Sequence, residues 1–289
     1  IIALSAILTE LNGGEMLYVN SHLHHEVNQK GDAVVERLAK LLNNRSTSND
    51  VLAIAGDIGA DDDSVQQCLS LFKSFKGAKC AIAGNHDVWT DDSRSSMSRY
   101  TSLSEIMRSE NFHPLEDAPL NLEGFSLVGT MGWYDYSFAD DLNIPRGEYE
   151  AKHSPSVGVS WMDRVHARWG VNDLAVTHWQ NERLRTQLAQ ATSKKVVAIT
   201  HHLPTKKLLF HPRCLLPKAL RFANAFLGNN TMGEILCNDG RVKQCFSGHI
   251  HWASSCTIGE TRFHTVGGSY TQKELIAYDG QTVTRETLS

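Results

Sequence analysis

Apolar runs recur along the chain, and several of them stop at a polar cluster. Leu17-Tyr18-Val19 leads into Asn20-Ser21-His22-Leu23-His24, and the run at 51–55 leads into Gly56-Asp57. Residues 80–83 lead into Gly84-Asn85-His86-Asp87, residues 196–200 into His201-His202, and residues 244–247 into Gly248-His249-Ile250-His251. Runs of this length and β-rich composition predict buried strands, each with its polar residues at the C-terminal end. Between them lie stretches of helical spacing. One covers residues 33–42 and breaks at Asn43-Asn44; a second is capped by Ser64, with Val65, Cys68, Leu69 and Phe72 on one face. Others cover 93–109, closed by Pro114, then 180–191, 217–226 and 231–237. Residues 125–129 read as a strand of a second sheet. The tail alternates at 262–266, 275–278 and 281–284, which predicts closing antiparallel strands of a sheet.

The pattern loosens over residues 131–179, which hold Trp133, Tyr134, Tyr136, Phe138, Tyr149, Trp161, Trp169 and Trp179. This stretch reads as an insertion or lid over the strand ends, with its rings serving either packing or substrate contact. No repeat, low-complexity tract or flexible linker interrupts residues 16–289, which read as a single α/β domain. Residues 1–15 are apolar at first, lack a basic leader and precede Met16. They fit neither a signal peptide nor a membrane span, and read as an upstream extension, vector-derived sequence or an extra edge element.

Composition narrows the function. A chain of 289 residues with 41% hydrophobic and 21% charged residues is ordinary globular material with enough length for a substantial core. Its net charge of -4 offers no basic field for a polynucleotide and no polybasic membrane anchor. The six cysteines are irregularly spaced without a C-x-x-C pair, and three of them (Cys68, Cys80, Cys245) sit within apolar patterns. Reduced core thiols in a cytoplasmic protein are expected. The 14 histidines are many for this length, and a good share fall in the strand-end clusters.

Ligand groups gathered at the carboxyl ends of strands are how open α/β proteins build sites. Imidazole, carboxylate and carboxamide together bind first-row divalent ions, and the absence of thiolate argues against a structural zinc site. Two ions close together need a bridging carboxylate and suit in-line displacement at phosphorus. Asp57, directly at a strand end beside a glycine, is the natural bridge. A lone Gly-Asp or His-x-His means little. Asn85-His86-Asp87 at a strand exit is costly unless its polar atoms are used, and all the clusters together point to one shared metal centre.

With Gly56-Asp57, Gly84-Asn85-His86-Asp87, Thr200-His201-His202-Leu203-Pro204 and Gly248-His249-Ile250-His251 in order, the chain resembles the calcineurin-like metallophosphoesterases from about Leu17 to the tail strands. The resemblance implies a four-layer α/β/β/α sandwich with a dinuclear site at the strand ends. It implies that His22, His24, Asp57 and His251 hold one divalent ion. Asp57, Asn85, His201 and His249 would hold the other. His86 would contact phosphate and the leaving oxygen outside the ligand set, with Asp87 orienting its ring. His202 would be a neighbour of the pocket. One position departs from the family pattern: His22 stands where the family has Asp. Spacing by two along a strand would keep both rings on one face. A neutral nitrogen in place of an anionic oxygen favours Mn, Fe or Zn over Mg and leaves the centre more positive, which suits dianionic substrates.

The expected reaction is hydrolysis of a phosphate mono- or diester by a metal-bridging hydroxide, with Asn85 and His86 stabilising the phosphoryl oxygens. The expected substrate is a small phosphorylated molecule; a nucleotide would suit the aromatic insertion. No membrane partner is expected, and a polynucleotide is disfavoured. Two alternatives stand beside it. One is a non-catalytic metal-binding interaction scaffold on the same fold, which should lack several site residues. The other is a dinuclear hydrolase acting on non-phosphorus bonds.

Overall fold

The computed structural model describes residues 15–91, 94–140, 142–210 and 215–289, so the extension expected at the start lies, but for Glu15, outside them. In chain order, β1 (Leu17–Asn20), α1 (Gln29–Arg45), β2 (Val51–Ala55), α2 (Asp62–Ser70), β3 (Ala78–Ile82) and α3 (Ser96–Ser109) alternate. The short β4 (His113–Pro114) follows. Then come β5 (Leu120–Asn121) and β6 (Ser126–Thr130), and an irregular stretch holding α4 (Arg146–Glu150), β7 (His153–Ser154), β8 (Val159–Ser160) and α5 (Asp163–His166). The second half runs α6 (Asp173–Gln190), β9 (Val196–Thr200), α7 (Lys218–Ala223), α8 (Asn230–Asn238) and β10 (Val242–Ser247). It ends with β11 (Ser255–Ile258), β12 (Thr261–Thr265), β13 (Lys273–Tyr278) and β14 (Val283–Leu288).

The strands form two six-stranded sheets, ordered β14-β13-β1-β2-β3-β4 and β11-β12-β10-β9-β6-β5. Side-chain alternation sets the layers. Leu17, Val19, Val51, Ala53, Cys80 and Ile82 face Leu127, Val197, Ile199 and Phe246 across the gap between the sheets. Their neighbours point outward: Tyr18, Leu52 and Ile54 meet Val35, Leu38 and Leu42 of α1, while Val128, Val196 and Ala198 meet Leu184 of α6 and Met232 of α8. The result is the expected α/β/β/α order. Cys68, Cys80 and Cys245 are buried and free, as anticipated. Among the described residues no helix is long and apolar enough to cross a membrane.

Several local expectations are corrected. Asp61, not Ser64, caps α2; Ser64 is the third helical residue and returns a hydroxyl to the Asp61 amide at 2.9 Å, closing a capping box. Pro114 does not merely close α3. It sits in an edge strand, where its missing N–H is harmless. The tail strands do not share one sheet: β12 joins the second sheet parallel to β10, while β13 and β14 extend the first.

The helix expected from Gln180 begins at Asp173, capped by Asn172, because its buried face is polar and hides the helical period. Gln187 donates to the Gly129 carbonyl at 2.7 Å and accepts its amide at 2.9 Å, satisfying β6 beyond the end of its short partner β5. Gly129 itself lies where the sheets pack closely, since a Cβ there would stand 2.8 Å from both Ile82 Cγ2 and Leu115 Cβ. Gly129→Ala should therefore destabilise the protein by about 1–3 kcal/mol in urea unfolding. An unchanged midpoint would show that the sheets can part at no cost.

Candidate metal centre

The ligand candidates His22, His24, Asp57, Asn85, His201, His249 and His251 lie beyond the carboxyl ends of β1, β2, β3, β9 and β10, drawn from both sheets. Asp57 is their hub. Its Oδ2 is 3.6 Å from His22 Nδ1 and 3.5 Å from His24 Nε2, and its Oδ1 is 3.3 Å from His201 Nε2. Asn85 Oδ1 lies 3.1 Å from His201 Nε2 and 3.1 Å from His249 Nδ1. The ring nitrogens of His22, His24 and His251 come within 4.8 Å of one another, and so do those of His24 and His86 with an Asp57 oxygen. His86, expected outside the ligand set, thus stands at its border.

Backbone carbonyls fix the tautomers. His201 Nδ1 faces Ala55 O at 2.9 Å, His249 Nε2 faces Phe226 O at 3.2 Å, and His22 Nε2 faces Ile250 O at 3.1 Å. A carbonyl only accepts, so those nitrogens carry the proton and the inner ones carry lone pairs. Burial holds the imidazoles of His201 and His249 below their ordinary range, that of His24 down to about 2 and that of His251 to about 4. Burial works to raise the Asp57 carboxyl, and only positive charge beside it, on His201, His86 and His24 or on a cation among them, holds it well below the usual carboxylate range. Lone pairs of His201, His249, Asn85 and Asp57 therefore converge with no proton to share. His22 Nδ1 and His24 Nε2 are likewise buried without a hydrogen-bond partner. Such a gathering of acceptors is unfavourable unless a cation sits among them. Its nitrogen and oxygen donors suit first-row divalent ions, so these residues fit the metals that the resemblance implies.

The backbone that delivers these groups is strained. His22, His24, Asp57 and His249 have φ of 58°, 43°, 58° and 67°, and such left-handed non-glycine residues cost roughly 1–3 kcal/mol each. Here the strand-spacing argument for His22 and His24 is corrected. β1 ends at Asn20, and the two rings converge through a left-handed turn zipped to the exit of β2 by His24 N–H to Asp57 O at 2.9 Å. Lys273, fully buried on β13, donates to the carbonyls of His22 and Ser269 beneath that turn, and burial pushes its ammonium down to about 8. Gly84 permits the approach of the β2 and β3 loops, since a Cβ there would fall 2.2 Å from Asp57 Oδ1.

Asp87 does not orient the His86 ring. Its Oδ1 accepts the amides of Ile58 (2.7 Å) and Gly59 (3.0 Å), and its Oδ2 accepts that of Gly84 (2.7 Å), lashing the two loops together. Burial, then the charge of Asp57, pushes its carboxyl up to about 7. His86 is instead set by its own amide, which donates to Asp57 Oδ1 at 3.2 Å, and by the Trp89 ring at 3.9 Å between centroids. His202 is fully buried behind His249, 4.3 Å between ring centroids, with Nδ1 on Met131 O.

The sequence reading missed Asp163, a buried carboxylate in the aromatic insertion. It accepts from Asn85 Nδ2 (3.1 Å), Trp89 Nε1 (2.6 Å), Tyr134 OH (3.0 Å) and Trp161 Nε1 (2.7 Å). The first of these bonds turns Asn85 Oδ1 towards His201 and His249. The signal was present as a lone Asp in Trp161-Met162-Asp163, where a carboxylate is costly unless its oxygens are used. Most of the insertion's rings are packing, with Trp133, Tyr134 and Phe138 fully buried. Lys273 had no such signal.

Asp163→Asn swaps half of a four-donor acceptor for a donor. Affinity for the ion next to Asn85 should fall by about 10–100-fold, read by competition with a chelating dye, while circular dichroism stays native. Unchanged affinity would leave Asp163 a packing residue.

The sequence pattern of the calcineurin-like phosphoesterase family matches residues 22–253. No curated protein sequence matches the chain. Among solved structures, a phosphopantetheinyl hydrolase from Mycobacterium tuberculosis shares 20% identity over 89% of this chain and 91% of its own, with a TM-score of 0.71. A putative 5'-nucleotidase from Staphylococcus aureus shares 12% identity over 96% of this chain and 53% of its own, with a TM-score of 0.47. A 5'-nucleotidase from Candida albicans shares 10% over 95% of this chain and 51% of its own, with a TM-score of 0.44. With the family pattern spanning most of the chain and the sandwich and strand-end donors in place, the chain belongs to the calcineurin-like phosphoesterase family and is a metal-dependent phosphohydrolase.

Proposed function

We propose that the chain hydrolyses a small phosphate ester at a dinuclear centre, with Asp57 shared by both ions. His22, His24 and His251 complete one site, and Asn85, His201 and His249 the other. The observation that carries this reading is the convergence of unprotonated donors on both oxygens of one buried carboxylate. Two bound divalent ions supply Lewis acidity and lower the pKa of a water enough to make it a nucleophile near neutral pH. The chain's own residues do the rest. Asp57 stays ionised and fixes the spacing of the two donor sets. Asn85, held by Asp163, keeps its amide oxygen on the second set. His86 faces the same cavity as Asp57, Asn85, His249 and His251. From there its ring N–H can donate to a phosphoryl oxygen and then to the departing alkoxide.

Metal-stripped protein refilled in turn with Mn, Fe(II), Zn and Mg should hydrolyse p-nitrophenyl phosphate or its bis-ester. His86→Ala should lower turnover by about 10²–10⁴-fold with metal content retained. Silence with every ion would favour an interaction scaffold, and near wild-type turnover in the variant would remove His86 from the chemistry. His22→Asp restores an anionic oxygen and should raise the Mg-to-Zn activity ratio. An unchanged ratio would mean that His22 is not a ligand.

A further inference from the structure

A groove of about 700 Å³ opens from the metal centre, with Asp57, Asn85, His86, His249 and His251 at its inner end. Its outer walls are Trp161, Met162, Phe210, Leu216, Leu220 and Trp252. Four of these are large apolar side chains left open to solvent: Met162 at 49%, Phe210 at 45%, Leu220 at 53% and Trp252 at 36%. Exposed apolar groups scattered singly mean nothing, but a group of them around the mouth of a site marks a binding surface.

Apart from the Trp252 indole N–H and the Tyr270 hydroxyl, the side-chain polar atoms along these walls are engaged elsewhere. Trp161 Nε1 and Trp89 Nε1 both donate to Asp163. Trp161 also stacks on Phe226, 5.4 Å between centroids and 10° between planes, which fixes the indole. Asn224 Nδ2 donates to Asp140 at 3.1 Å, and the Ser160 hydroxyl is tied to His153 Nδ1 at 2.7 Å. Among the described lining residues there is no Lys or Arg. Beyond the metal centre the groove therefore presents mainly carbon, with no cationic side chain among the described lining residues to neutralise a second phosphate or a carboxylate.

We infer that the ester's organic half is a neutral, apolar alkyl or aryl group seated between Trp161, Phe210 and Leu220. This inference rests on the phosphohydrolase reading. The occupant follows from continuity: whatever fills the groove ends against the donors that would hold the phosphoryl group. In the reaction, water's oxygen bonds to phosphorus as the ester P–O bond breaks. The electron pair leaves on the alkoxide, which is protonated to the alcohol.

The test uses metal-loaded protein and two series running from ethyl to octyl, n-alkyl phosphates and p-nitrophenyl n-alkyl phosphates. In whichever series turns over, kcat/KM should rise by about 2–4-fold per methylene, the factor for moving a methylene out of water. Leu220→Asp should flatten that rise, costing the octyl ester far more than the ethyl ester, whereas Leu220→Met should keep it. A flat series in the wild type overturns the inference, as does equal hydrolysis of a carboxylate-ended chain of the same length. Calorimetric binding of ethyl and octyl phosphate separates the two readings when nothing turns over. Tighter octyl binding alone keeps the groove and sinks the hydrolase, and equal binding sinks both. A flat series together with a dimer that Leu220→Asp dissociates would make the groove an interface between copies.

Discussion

The structure depends on one buried carboxylate. Asp57 lies within 3.6 Å of three imidazole nitrogens and also accepts the His86 amide, so three segments remote in sequence meet at its two oxygens. A carboxylate in so dry a place, faced by lone pairs instead of protons, is a poor arrangement for a protein alone. It becomes a favourable one when divalent cations share the space. Binding energy then offsets the left-handed backbone at His22, His24, Asp57 and His249, which folding by itself would not choose.

Rigid support follows from that arrangement. Asp87 draws three backbone amides inward to join the β2 and β3 loops, and Lys273 holds the His22 turn from below. Each sheet supplies part of the donor set, so the packing between them also fixes ligand spacing. Gly129 and its Gln187 clasp sit in that packed region, against Ile82 and Leu115 of the first layer. The insertion adds the remaining brace. Through Asp163 it grips Asn85 on one side and the indoles of Trp89 and Trp161 on the other. Asn85 and the groove wall are thus held by a single side chain.

Much of this was legible in the sequence because strand cores and their C-terminal clusters are local signals. The runs at β1, β2 and β9 carry period, length and polar exits within a few residues, and their bounds matched. Legibility failed where the deciding partner is distant. The start of α6 was hidden because Gln180 and Gln187 on its buried face serve β6 and Asn181 serves the Asn229 cap of α8, so its apolar period is faint. The tail strands alternate alike, and nothing local says that β12 pairs with β10 while β13 pairs with β1.

The sequence alone determined the donor inventory, the class of ion it suits and the order in which strands present it, because residue chemistry and hydrophobic period are properties of short segments. Tertiary structure decided everything that needs two distant segments at once. It decided that Asp87 binds amides instead of the His86 ring, since three N–H groups of folded loops outcompete one imidazole. It turned His22 and His24 inward through positive φ instead of strand pleat. It also sorted the insertion's rings into core and groove wall, because burial is set by what lies opposite each ring and not by the ring itself.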